Sequence, residues 1–166
     1  AFFGYNDSYD DKPEEYKRQL LEFVRNTRGA KSNGRSFARI VLFSPIAHED
    51  TRNPNVPDGK AHNVQLEAYT KATEAAAKEA GVGYVDLFHP SLELYRKASS
   101  PLTINGVHLT EEGNRQLAEV IAAALLGKPV SASSSLAALR AAVREKDFYW
   151  NNRYRARDGN DVWGGR

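Results

Sequence analysis

The chain of 166 residues contains no cysteine, almost no net charge and no long apolar run. Without cysteine it can form no disulfide, no thiolate metal site and no c-type haem attachment. Its 23 basic and 21 acidic residues give a net charge of +2, which offers no electrostatic basis for binding nucleic acid or an anionic membrane. No apolar stretch approaches the roughly 20 residues of a transmembrane helix, and no signal peptide is visible in this chain. We therefore expect no nucleic-acid partner, no membrane span and no cofactor.

What remains is the pattern of a globular α/β protein, with 41% hydrophobic and 27% charged residues. Segments with helical periodicity alternate with short apolar runs, and Ile40–Phe43 is a continuous run typical of a buried parallel strand. This alternation predicts a parallel sheet flanked by helices in three layers. We expect one domain over residues 1–130, followed by a C-terminal segment, 131–166, that carries a helix and an aromatic, Arg-rich stretch.

Periodicity and turn residues place the individual elements. Helices are predicted from Pro13 to about Thr27, from about Asn63 to Ala80, over Ser91–Ala98 and after the N-cap residue Thr110, and strands over Phe37–Ser44 and Gly83–Leu87.

Two short motifs place side chains suited to acyl transfer beside these elements. Gly4-Tyr5-Asn6-Asp7 follows the apolar Ala1-Phe2-Phe3, and Asn105-Gly106-Val107-His108 precedes the last strongly periodic helix. A fixed amide such as that of Asn6 can stabilise an oxyanion, and one such donor contributes roughly 3 kcal/mol. An imidazole such as that of His108 can act as a general base.

The two motifs resemble the third and fifth sequence blocks of the SGNH hydrolases, also called GDSL-type esterases and lipases. The resemblance implies an SGNH/flavodoxin-like fold in which Asn6 is an oxyanion donor, His108 is the base for a serine nucleophile, and Gly4 and Asp7 belong to the binding loop. In that family the serine lies in a first block, on a strand that precedes the third block. A chain that opens at the third block is expected to lack the N-terminal strand and helix, and the nucleophile with them.

The resemblance also implies a biological setting. Similar domains occur in large multidomain bacterial proteins, many of them exported, which implies an exported or periplasmic location and adjacent domains as partners. The implied substrate is an ester, with O-acetylated carbohydrate as one class. A non-catalytic carbohydrate- or partner-binding module of such a protein is the rival interpretation, and a Gly-Asp-Ser block upstream would favour the enzyme.

Asn105 departs from the family pattern, because most members have Asp three residues before the catalytic His. Asn can hold a ring nitrogen, but it cannot stabilise an imidazolium as a carboxylate does. Three interpretations stay open: the site works as a Ser-His dyad, another carboxylate such as Asp86 or Glu49 takes the role, or the domain binds without catalysing.

His48 and Glu49 form a second polar cluster, directly after the predicted strand that ends at Ser44. Ligand sites of parallel sheets gather beyond the carboxyl ends of the strands, so we expect both residues to contribute to binding. Together with Asp50, His62 and His89 they match no compact ligand spacing, and no metal site is predicted.

The closing segment Phe148–Arg166 combines aromatic residues with arginines. The charge balance of the chain argues against nucleic-acid binding. We expect the segment to pack on a protein surface through Phe148, Trp150 and Trp163.

Overall fold

A computed structural model describes residues 1–31, 33–128 and 136–154. The chain divides into two units, Ala1–Pro129 and Val130–Arg166, which are described separately. In chain order the elements are a short 3₁₀ helix Asp7–Tyr9, α1 Pro13–Ala30, β1 Val41–Phe43, α2 Lys60–Ala80, β2 Gly83–Val85, α3 Phe88–Lys97, α4 Glu111–Leu126 and α5 Ala137–Tyr154.

Strands β1 and β2 pair in parallel, with Leu42 opposite Tyr84. The N-terminal segment runs along the other side of β1: Phe2 forms a parallel bridge with Phe43, and their rings stack 4.2 Å apart. The expected α/β fold with a parallel sheet is confirmed. The crossover from β1 to β2 passes through α2, as parallel pairing requires.

The sheet has a helix layer on each face because successive residues of a strand point to opposite sides. Leu42 packs into a core formed mainly by α1 and α2, with Tyr16, Leu20 and Tyr69 among its buried members. Its neighbour Phe43 packs on the other face. The buried residues of that second core are Phe43, Val85, Leu87 and Leu117 of α4.

Helix starts follow the sequence signals where the capping residue is adjacent in the chain. Thr110 caps α4 by accepting a hydrogen bond from the Gly113 amide at 3.1 Å, as predicted. Helix α3 begins at Phe88, three residues earlier than Ser91, because the buried Ser44 hydroxyl accepts hydrogen bonds from the Leu87 and Phe88 amides. A local sequence pattern cannot predict a capping group that lies 43 or more positions away.

Strand β1 is shorter than the predicted Phe37–Ser44 and begins at Val41. The ring of Phe37 is exposed and lies under the Lys31 ammonium group rather than in the core. Helix α2 begins at Lys60, three residues before the predicted start, after Gly59 in a left-handed conformation.

In the second unit, α5 extends to Tyr154 and so includes the first part of the aromatic, Arg-rich segment that begins at Phe148. Its described residues are exposed, with Phe148 and Trp150 at 58% and 49%. Packing of this segment on a protein surface stays a prediction, and Trp163 lies outside the described residues. None of the described helices is both long and apolar enough to cross a membrane.

Candidate active site

Asn6 lies on a tight turn at the end of the segment that pairs with β1. Gly4 opens the turn with φ +104°, and its amide donates a hydrogen bond to Asp7 Oδ2 at 3.1 Å. The Ser8 amide donates to the Gly4 carbonyl at 3.0 Å and closes it. A Cβ on Gly4 would lie 2.7 Å from the Tyr16 hydroxyl, so both the conformation and the space require glycine. The side chain of Asn6 is exposed.

His48 stabilises this turn through a hydrogen bond with the phenol of Tyr5. Tyr5 Oη lies 2.7 Å from His48 Nδ1, while His48 Nε2 lies 3.1 Å from the Pro57 carbonyl oxygen. A carbonyl can only accept, so in the neutral ring Nε2 carries the proton and the phenol donates to Nδ1. Burial raises the pKa of Tyr5, which keeps the donating phenol protonated.

His62 holds the same turn through Ser8. The Ser8 hydroxyl donates to the Tyr5 carbonyl at 2.7 Å and lies 2.7 Å from His62 Nε2. The Ser8 hydroxyl has one proton, which it donates to the Tyr5 carbonyl. His62 Nε2–H therefore donates to the hydroxyl oxygen. Ser8 is 1% exposed. This pair therefore supports the turn and is not a nucleophile with its base.

His108 lies on the second loop, where its ring contacts Asn105. The Oδ1 atom of Asn105 accepts hydrogen bonds from the amides of Val107 at 3.3 Å and His108 at 3.0 Å, and lies 3.0 Å from His108 Nδ1. The two amides fix the orientation of the Asn105 side chain, with its oxygen toward the ring. The ring contact then requires a proton on Nδ1 and leaves Nε2 of the exposed imidazole free to accept one.

The two carboxylates considered as substitutes for the family Asp are engaged elsewhere in the described residues. Asp86 Oδ2 lies 2.6 Å from His89 Nδ1. Glu49 accepts hydrogen bonds from Leu102 and Thr103. Asn105 is the group in contact with the His108 ring, and its catalytic role stays a prediction.

His48 and Glu49 are buried, at 6% and 4% exposure, and their polar atoms contact protein groups. Their predicted binding role stays a prediction. Their partners Tyr5 and Thr103 are not predictable from the sequence motifs. The signal in the sequence was that a polar residue lies beside each motif. Neither spacing nor periodicity predicts a contact between residues 43 or 54 positions apart.

A groove of about 560 Å³ has residues of both loops in its lining, but neither Asn105 nor His108 is among them. Asn6 lines it from the first turn, and Leu109, the residue after His108, lines it from the second loop. Phe2, Phe3 and Leu117 contribute apolar walls. Within the described part of the chain, no group of three His, Asp or Glu side chains is arranged to hold a metal ion.

Residues 1–121 match the family of GDSL-like lipases/acylhydrolases. The chain belongs to this family. The match includes the Asn6 turn, the His48-Glu49 pair and the Asn105–His108 loop, and it ends within α4.

Solved structures with a similar fold support the architecture. A catalytic mutant of Axe2, an acetylxylan esterase from Geobacillus stearothermophilus, is similar with a TM-score of 0.59 at 19% identity, over 80% of this chain and 60% of that one. LAE5, an alpha/beta hydrolase enzyme from the metagenome of Lake Arreo, Spain, has a TM-score of 0.57 at 20% identity, over 74% and 56%. This chain thus spans less than two thirds of either. No curated protein sequence matches it.

Proposed function

We propose that this chain carries the general base and one oxyanion donor of a GDSL-family serine ester hydrolase. The observation that supports it best is the contact between Asn105 Oδ1 and His108 Nδ1 at 3.0 Å, with the amide oxygen fixed by backbone donors. This arrangement presents Nε2 of an exposed imidazole as a proton acceptor. Membership of an acylhydrolase family supports an ester as the substrate.

In the proposed reaction a serine hydroxyl attacks the ester carbonyl carbon, and its proton passes to His108 Nε2. The carbonyl oxygen becomes an oxyanion, and the side-chain amide of Asn6 donates a hydrogen bond to it. The intermediate collapses, His108 protonates the leaving alkoxide, and the acyl group stays on the serine. Water then attacks the acyl-serine with His108 again accepting the proton, and the proton returns to the serine oxygen as the acid is released.

In this proposal the attacking serine lies outside the described residues. Ser8 and Ser44 are both 1% exposed, and their hydroxyls are engaged with neighbouring groups of the fold. No serine in the described parts of the chain hydrogen-bonds to His108. The neighbour Axe2 was solved as a catalytic mutant in which alanine replaces a serine, which supports a serine nucleophile in this fold.

O-acetylated carbohydrate is the proposed substrate class. The support is the acetylxylan esterase among the structural neighbours, together with the resemblance in the sequence motifs. An exported or periplasmic protein with adjacent domains is the proposed setting, because the sequence motifs resemble those of domains in large multidomain bacterial proteins, many of them exported.

The test is hydrolysis of an aryl acetate and of acetylated xylan by the protein expressed from its complete reading frame. We expect His108→Ala to lower kcat by at least about 100-fold.

His89→Ala is the matched control, because His89 also contacts a residue three positions before it, Asp86, and is exposed. Its activity should equal that of the unmodified protein. Equal activity of the His108→Ala variant would contradict the proposal and favour the non-catalytic binding module.

A further inference from the structure

The carboxylate of Glu49 is a buried charged group that the proposed reaction does not use. Its Oε1 accepts a hydrogen bond from the Leu102 amide at 2.9 Å. Its Oε2 accepts from both the amide and the hydroxyl of Thr103, each at 2.6 Å. All three donors belong to the start of the loop that carries His108.

No Lys, Arg or His within the described residues forms an ion pair with Glu49. A carboxylate at 4% exposure loses most of its hydration and is stable only while other donors replace the water. The short hydrogen bonds to charged oxygen are the strong kind. The loop donors and the carboxylate therefore fix each other in place.

Further hydrogen bonds extend this network to the Asn105–His108 turn. The Thr103 hydroxyl, while donating to Glu49, accepts from the Gly106 amide at 3.0 Å. The backbone amide of Glu49 donates to the Gly106 carbonyl at 2.9 Å. Gly106 lies between Asn105 and His108, so both of its peptide groups are held by Glu49, one directly and one through Thr103.

We propose that Glu49 is a positioning residue that holds the Asn105–His108 turn in its working geometry through Thr103 and Gly106. The inference rests on the proposed function, since the turn matters for catalysis only if His108 is the base. Glu49 itself need not touch the substrate. Its role is neither to bind substrate nor to replace the triad carboxylate.

Two substitutions test the network. In Glu49→Gln one amide nitrogen must face a loop amide, since each carboxylate oxygen accepts from a backbone N–H group. Thr103→Val removes the hydroxyl but keeps the shape, and Thr103→Ser restores the hydroxyl. Thr70→Val is the matched control: Thr70 is also 3% exposed, but its hydroxyl donates to Leu66 within α2.

The first measurement is kcat and KM for an aryl acetate with the complete protein. We expect Glu49→Gln and Thr103→Val to lower kcat by about 10- to 100-fold with KM within about two-fold, since small displacements of a catalytic group cost rate more than binding. Thr103→Ser should recover most of the loss. Thr70→Val should keep the original kcat even if it lowers Tm by as much as Thr103→Val.

The second measurement does not depend on activity. The His108 amide donates to Asn105, so its hydrogen exchange reports whether the turn is intact. Exchange of this amide should accelerate at least 10-fold in Glu49→Gln and Thr103→Val and stay unchanged in Thr70→Val. If the unmodified protein hydrolyses no ester, the proposed function fails while the exchange data still decide whether Glu49 holds the turn. Unchanged exchange, or a kcat loss shared equally by Thr70→Val, would overturn the positioning role.

Discussion

Asn105 accepts the Nδ1–H of His108 with an oxygen that two backbone amides also occupy. In a serine protease, replacing the triad Asp by Asn costs ~10⁴ in turnover because the wrong tautomer is favoured. That penalty arises when the amide nitrogen can face the ring. Here the backbone donors require the oxygen to face it, so the uncharged residue still selects the tautomer with a free Nε2. What Asn105 lacks is the negative charge that would stabilise the imidazolium.

Replacing Asn105 therefore has two opposite expected results. Asn105→Asp keeps an acceptor for all three donors and adds a charge, so kcat for an aryl acetate should rise, by roughly 10-fold. Asn105→Ala removes the acceptor and should lower kcat by about 100-fold or more. The comparison is made at fixed pH in the complete protein. An aspartate variant no faster than the original would mean that the site is tuned to a neutral partner.

Asn6→Ala tests the oxyanion donor. An interaction made mainly in the transition state lowers kcat without changing KM, so we expect a kcat loss of 10²–10³, about 3 kcal/mol. The exposed loop residue Asn55 provides the control, and Asn55→Ala should match the original kinetics. A change confined to KM would instead assign Asn6 to substrate binding.

The fold was predictable because its elements have local signals. The apolar run around Leu42, the periodic stripes of α1, α2 and α4, and the Thr110 cap each follow from nearby residues. The parallel sheet then follows from the alternation of strands and helices. Where an element boundary was wrong, as at the start of α3, a distant side chain, Ser44, supplied the cap.

The candidate site was predictable only in part. The sequence motifs predict Asn6, Asn105 and His108 as site residues, and their catalytic roles stay predictions. The spacing of three anticipated the contact between the last two. The hydrogen bonds that stabilise the two loops were not predictable, since Tyr5 contacts His48 and Thr103 contacts Glu49 only in the folded chain. The folded sheet brings these partners together.

Gly106 should be among the positions of the site most sensitive to an added methyl group. It has φ +86°, and a Cβ there would overlap the His48 ring. Gly106→Ala should lower the free energy of unfolding by roughly 2–4 kcal/mol through backbone strain and the lost His48 position. Chemical denaturation with a circular-dichroism readout measures the change.

Gly29→Ala is the matched control for that substitution. Gly29 lies in α1, and beyond its chain neighbours and the helix backbone no atom lies within 4 Å of the position that an added Cβ would take. Alanine there should raise stability by roughly 0.5–1 kcal/mol. Equal effects of the two substitutions would contradict the close approach of Gly106 to His48.

His62 should make the stability of the fold dependent on pH. Partial burial, and next the charge of His48, lower the pKa of His62 below its ordinary value of 6.5. Between that value and the lower folded one, the unfolded chain binds a proton that the folded chain does not, so stability falls as the pH drops through this window.

In His62→Gln this contribution is absent. The difference in unfolding free energy between the original protein and the variant should be largest at pH 8, where His62 is neutral in both states, and should narrow as the pH falls below 6.5. A difference that stays constant from pH 8 to pH 5, or widens, would show that the folded surroundings of His62 tolerate the charged ring.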